Sequence, residues 1–145
     1  MAESVSVGSP PPSTRLARRI DHVGVIVKDA DASATSLVAR LGLVRGVDWV
    51  DPDGRFRLVY LESGDTTLQL VQPLREGALS DHLHARGEGL HHVCFAVDDL
   101  DAALLALDVS VDSAPYMGGK GARVCFLADR PSGILIELTE DSGTP

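Results

Sequence analysis

An α+β fold of two tandem βαβββ modules is what the sequence predicts, and three observations carry the prediction. The chain repeats itself internally. Residues 20–34 read IDHVGVIVKDADASA and residues 90–104 read LHHVCFAVDDLDAAL, sharing the pattern apolar-x-His-Val-x-apolar-x-Val-x-Asp-x-Asp. Each copy opens on an apolar, β-branched run and passes into a helical pattern with Asp at its start. Each closes on an alternating strand: YLESGDTTLQLVQ (60–72) resembles FLADRPSGILIELTE (126–140).

The elements follow in order. Ile20–Val27 is a strand by its β-branched content. Asp29 or Asp31 can cap a helix running to Leu41, and Gly42 ends it. Strands are expected at Leu43–Trp49, Phe56–Leu61 and Thr66–Val71, with turns at Pro52-Asp53-Gly54 and Ser63-Gly64-Asp65. The connecting segment 74–88 allows a short helix over 78–86, stopped by Gly87 or Gly89. The second module repeats the order: a strand at Leu90–Val97, a helix at Leu100–Leu107, then short strands at Val109–Val111, Arg123–Leu127 and Ile134–Thr139. Its joint, Leu107-Asp108-Val109, is tight. Module one therefore spans residues 19–73 and module two 89–140 of one domain, 19–140. Residues 1–18, with three consecutive prolines among Ser and Gly, are expected to form a disordered tail, and the last residues, 141–145, to fray.

A chain of 145 residues with 44% hydrophobic and 23% charged residues can bury the core of one domain. The net charge of -8, with 13 scattered Lys and Arg and no basic stripe, argues against a nucleic-acid partner. No apolar run reaches the roughly 20 residues that span a bilayer, and no signal-peptide core is present. Cys94 and Cys125 sit inside apolar strands and read as buried thiols, which with the rest points to the cytoplasm.

The chemistry is expected at four strand positions. Gln69 interrupts LQLV and Glu137 interrupts ILIELT, and a polar group in an apolar strand must find a partner. His22 and His92 are each followed two residues later, on the same face, by the small Gly24 and Cys94, which leaves room before the imidazoles. A lone strand histidine is ordinarily a satisfied core or surface residue. Recurrence in equivalent places of two repeats distinguishes these. Two imidazoles, a carboxamide and a carboxylate suit a hard-to-borderline divalent metal in octahedral geometry, leaving two positions for water or substrate. His91, the counterpart of Asp21, is expected on the opposite strand face, and His82 and His84 in solvent.

These motifs resemble the vicinal oxygen chelate, or glyoxalase-like, superfamily over about residues 19–140, and within it most closely the methylmalonyl-CoA epimerases. The resemblance rests on IDHVGVIVKDAD, GDTTLQLVQPL, GEGLHHVCFAVDDLDAAL and GILIELTE. It implies a curved mixed sheet around a metal site, with His22, Gln69, His92 and Glu137 as ligands of one divalent ion (cobalt, manganese, nickel, zinc, magnesium or iron) and Glu137 in a catalytic role besides. It implies a homodimer and a small acyl substrate of the acyl-CoA kind. The chemistry implied is removal of the proton between a thioester and a carboxylate, with metal stabilisation of the enolate.

The sequence departs from that pattern around the four ligands. Arg57 occupies the position matched to the family's glutamate base, and a guanidinium is suited to holding an anion rather than taking a proton. MGGKGAR (117–123) replaces Gly-Ala-His-Gly-Lys, FLAD replaces Phe-Leu-His-Pro, and Thr35-Ser36-Leu37 replaces an aromatic pair. Arg57, Lys120 and Arg123 are thus candidate anion contacts for substrate. The alternatives are another metal-dependent reaction on the same scaffold (a glyoxalase-type isomerase, a lyase or a non-haem iron dioxygenase) and a non-catalytic small-molecule binding protein.

Overall fold

The two helices that open the halves are capped twice over, in the same way. Asp29 accepts from the backbone N of Ala32 and Asp99 from that of Ala102, so both act as N-caps. A residue from the end of each half then reaches back to the next free amide: Gln72 Oε1 accepts from Ala30 N at 2.8 Å and Glu140 Oε2 from Leu100 N at 2.9 Å. The computed structural model describes residues 15–141. The tail expected at residues 1–18 lies outside them up to position 14, as does the chain end beyond Asp141.

In chain order the elements are β1 (Arg19–Ile26), α1 (Ala30–Leu41), β2 (Val44–Val50), β3 (Phe56–Ser63), β4 (Thr66–Pro73), α2 (Ala78–Arg86), β5 (Gly89–Val97), α3 (Leu100–Leu107), β6 (Tyr116–Met117), β7 (Arg123–Phe126) and β8 (Ile136–Glu140). The strands form one mixed, curled sheet in the order β2-β3-β4-β1-β5-β8-β7-β6. In each half the first strand pairs parallel with the last, β1 with β4 and β5 with β8. The two first strands pair antiparallel at the centre, so the β1–β5 seam joins the halves. Residues 21–30 and 91–100 share an identical sequence of buried, half-buried and exposed positions, the repeat expressed as burial.

Each opening helix covers its own half of the sheet. Ala30 and Ala34 of α1 pack on Val59, Leu61 and Leu70, and Leu100 and Ala103 of α3 on Cys125, Leu127 and Leu138. On the opposite, concave face a third cluster forms from Leu58, Tyr60 and Val71, joined by Trp49, Phe56 and Leu79. Both cysteines are free and buried. No helix among the described residues is long and apolar enough to cross a membrane.

One expected strand is corrected. Val109–Val111 makes only a single bridge, Val111 to Leu127. The chain leaves α3 through Asp108 in the left-handed region, φ 50°, and Val109 and Val111 pack against the α3 core instead of laddering. The two-residue β6 at Tyr116–Met117 takes the outer place.

Candidate metal centre

The seam brings the four polar strand residues together. Across it His22 stands opposite Cys94, and Gly24 opposite His92. Gly24 is flanked on its other side by Gln69 of β4, and Cys94 by Glu137 of β8. The sheet therefore holds two rows, Gln69–Gly24–His92 and His22–Cys94–Glu137, that interchange when the halves are exchanged. All four polar residues are buried. Glycine is required at position 24, because a Cβ there would fall inside the volume of the His92 ring.

Three ligand atoms converge. His22 Nε2 and His92 Nε2 stand 3.2 Å apart, and Glu137 Oε1 lies 3.0 Å from the first and 3.3 Å from the second. The two imidazoles are within hydrogen-bond reach of each other, but their contacts with Glu137 are ion-pair separations without hydrogen-bond alignment, and Glu137 Oε1 is the buried side-chain atom left without a hydrogen-bond partner among the described residues. Metal–ligand bonds of about 2.1 Å at right angles would set neighbouring ligand atoms about 3.0 Å apart, close to this triangle. An orphaned buried carboxylate oxygen facing two imidazole nitrogens fits a divalent cation. Burial pushes the Glu137 carboxyl up, but the two imidazoles beside it prevail and hold it at about 2, so it is ionised.

Each imidazole is oriented from behind. His22 Nδ1 is 2.8 Å from Asp21 Oδ2, and Arg19 holds the other Asp21 oxygen at 3.0 Å. Burial lowers the His22 pKa, yet the Asp21 and Glu137 carboxylates outweigh it and hold it above its usual value. His92 Nδ1 is 2.9 Å from His91 Nδ1. His91 is pushed down to about 4 by burial first and by the neighbouring His92 and His82, so it is a neutral imidazole. Occupied Nδ1 atoms leave Nε2 of both rings for the centre.

Strand alternation alone misplaces these two helpers. His91, expected to face away, lines the cleft beside His92, and His82 packs edge-on against it with ring centroids 5.0 Å apart. The cause is a pair of β-bulges. The pairing runs Ile20↔Phe95 and then His22↔Cys94, so Asp21 is an extra residue in β1; it runs Gly24↔His92 and then Val25↔Leu90, so His91 is extra in β5. A bulged residue is re-aimed relative to the alternation.

The centre lies in a cleft of about 1250 Å³ lined by His22, Gln69, His92, Glu137 and Lys120 together with the concave-face cluster. Gln69 Nε2 donates to the hydroxyl of Tyr60 at 2.9 Å. Burial pushes the Tyr60 hydroxyl up, so it stays protonated. Lys120 Nζ lies 4.8 Å from the centre of the Tyr60 ring and 3.4 Å from Thr67 Oγ1. Tyr60 was not singled out by the sequence. The signal was available, since folding the hairpin about Ser63-Gly64-Asp65 sets Tyr60 directly opposite Gln69.

Arg57 and Arg123 are not brought to the cleft, which corrects the expectation that they contact substrate. Arg57 is gripped by Asp31 at 2.8 Å and Asp48 at 2.7 Å, and Arg123 by Asp101 at 2.9 Å. Both lie on the helix-covered side of their strands, each reaching the first turn of its helix. Along β3 the residues that line the cleft are Phe56, Leu58 and Tyr60. That wall carries no carboxylate.

The pattern described as the Glyoxalase/Bleomycin resistance protein/Dioxygenase superfamily matches residues 21–126. The ethylmalonyl-CoA/methylmalonyl-CoA epimerase of Cereibacter sphaeroides is 30% identical over 84% of this chain and 97% of its own. The crystal structure of methylmalonyl-CoA epimerase from Mycobacterium tuberculosis superposes with a TM-score of 0.81 at 28% identity, covering 91% of this chain and 92% of that one. A variant of the Streptomyces coelicolor methylmalonyl-CoA epimerase, in complex with 2-nitronate-propionyl-CoA, gives 0.79 at 30% identity, covering 89% of this chain and 100% of that one.

Proposed function

The chain belongs to the glyoxalase/bleomycin resistance protein/dioxygenase superfamily, and on that premise we propose that it is a divalent-metal-dependent enzyme of methylmalonyl-CoA epimerase type. The observation that carries the reading is the buried triangle of His22 Nε2, His92 Nε2 and Glu137 Oε1 at the floor of the cleft. His22, Gln69, His92 and Glu137 would hold the ion. The ion would supply positive charge against which a thioester oxygen gains negative charge as the adjacent carbon loses its proton.

The chain's own residues do the rest. Glu137 is the one ionised carboxylate of the triangle and takes the proton. Lys120 extends into the cleft, where its ammonium meets an anionic oxygen of the substrate. Leu58 and Val71 form a dry wall beside the reacting carbon. A small acyl-CoA is the substrate class in keeping with the relatives, and a cytoplasmic homodimer in which residues 19–73 and 89–140 form the two functional modules completes the proposal.

The absence of a carboxylate on the β3 wall favours a second reading. An inversion by two carboxylates lacks its partner there, so the proton is removed and returned on one face, as in an isomerase or lyase of the same scaffold. One measurement separates the readings. Metal-loaded protein is incubated with methylmalonyl-CoA in deuterated water, and both α-carbon deuterium and configuration are followed. Exchange with inversion supports the epimerase, and exchange with retention the second reading. No exchange overturns Glu137 as the base toward this substrate.

A further inference from the structure

Gln69 differs from the other members of the site in having two unlike ends. Its Oε1 accepts and its NH₂ donates, and only the oxygen can face a cation. Something must decide which end turns inward. We infer that Tyr60 is a positioning residue that fixes the Gln69 carboxamide with its oxygen toward the centre, an inference that rests on the metal-site reading above.

The register puts Tyr60 of β3 directly opposite Gln69 of β4, and the Gln69 NH₂ group donates to its hydroxyl at 2.9 Å in a buried setting. The ring is itself held. His22 meets it edge-on with centroids 6.2 Å apart, and Lys120 lies over its face. The backbone of Gly119 comes so near that a Cβ there would stand 2.7 Å from the Tyr60 hydroxyl oxygen. Anchored this way, the hydroxyl engages the nitrogen end and leaves the oxygen end for the cleft.

The repeat provides an internal control. The residue opposite Glu137, in the register equivalent to that of Tyr60 with Gln69, is Phe126. Phe126 meets His92 edge-on at 5.1 Å, as Tyr60 meets His22. The two aromatics therefore share a packing role and differ by one hydroxyl. The hydroxyl is present opposite the carboxamide, whose ends are unlike, and missing opposite the carboxylate, whose oxygens are equivalent and need no orienting.

The test compares Tyr60→Phe in two backgrounds, the natural chain and Gln69→Glu, with cobalt(II) chloride as the probe. Affinity is read by calorimetric titration and folding by the melting temperature of the metal-free protein. In the natural chain Tyr60→Phe should weaken cobalt(II) binding about 10- to 100-fold, the usual effect of losing a group that orients a ligand. In the Gln69→Glu background, where the ligand has two equivalent oxygens, the same change should move affinity less than roughly twofold. An equal loss in both backgrounds would make the hydroxyl a general structural group and overturn the inference, as would no loss in the natural chain. A natural chain that takes up no cobalt(II) sinks the metal-site reading itself.

Discussion

The two halves meet at the seam with the same backbone and opposite distributions of charge. The first half lines the cleft with a neutral carboxamide, Gln69, and keeps its carboxylate, Asp21, behind His22. The second half offers a carboxylate, Glu137, toward the centre and places a neutral imidazole, His91, behind His92. Each contributes one negative charge, at different depths. The difference teaches that the repeat fixes where side chains stand, while the identity of each residue decides how the centre is polarised.

The sharpest way to break the comparison is at the two small residues. Gly24 and Cys94 occupy equivalent places across from the partner imidazole, but the Cys94 side chain fits beside His22, its sulfur within 4.8 Å, whereas a Cβ at position 24 would fall inside the His92 ring. Gly24→Ala should cost about 1–3 kcal/mol by overpacking and, by displacing His92, weaken cobalt(II) binding roughly 10- to 100-fold. Cys94→Ala should cost only about 1 kcal/mol and leave the affinity close to that of the natural chain. Melting curves and calorimetric titration of both variants read the contrast, and equal affinity losses would refute it.

A smaller effect is expected behind the imidazoles. With His22 holding the ion as proposed, Asp21→Asn would remove the charge behind that imidazole, and cobalt(II) affinity should fall about tenfold or more. His91→Asn replaces one neutral partner with another and should change affinity by less. If the His91 variant binds more weakly than the Asp21 variant, the assignment of charge to the two halves is wrong.

The smallest effect concerns Arg57 and its counterpart Arg123. Both belong to surface ion pairs outside the cleft, and exposed pairs contribute little. Arg57→Ala should leave cobalt(II) affinity, and the deuterium exchange described above, unchanged within roughly twofold. A loss of exchange beyond that would return Arg57 to the substrate site.

What was legible in the sequence was whatever repeats or alternates. The repeat exposed His22 with Gln69 and His92 with Glu137, and residue chemistry named Gly42 as the end of the first helix and narrowed its cap to Asp29 or Asp31 and the later stop to Gly87 or Gly89, of which Asp29 and Gly87 are used. What alternation hides is its own interruption. Asp21 and His91 turn to the cleft side, behind the imidazoles, because β1 and β5 each carry one extra residue, and strand composition does not announce a bulge. Arg57 was misplaced for a related reason. A motif match names a residue in a row, but the face it occupies is settled by cross-strand register, which sends Leu58 and Tyr60 inward. Tyr60 stayed unnoticed because an aromatic in a strand reads as packing until its partner is known.

The paired bulges carry a consequence for the length of the chain. The register steps by one residue at Asp21 and steps back at His91, so β1 and β5 end the seam in the alignment with which they began it. Removing a single residue at Asp21 would break this compensation and slide the strand beyond it by one place, turning either its core residues or its imidazole to the wrong face. Removing one residue from each strand would restore an unbroken ladder while taking away both groups that orient the imidazoles. Substitutions at these two positions can be graded, but insertions and deletions there cannot, and the seam is where this chain should tolerate a change in residue count least.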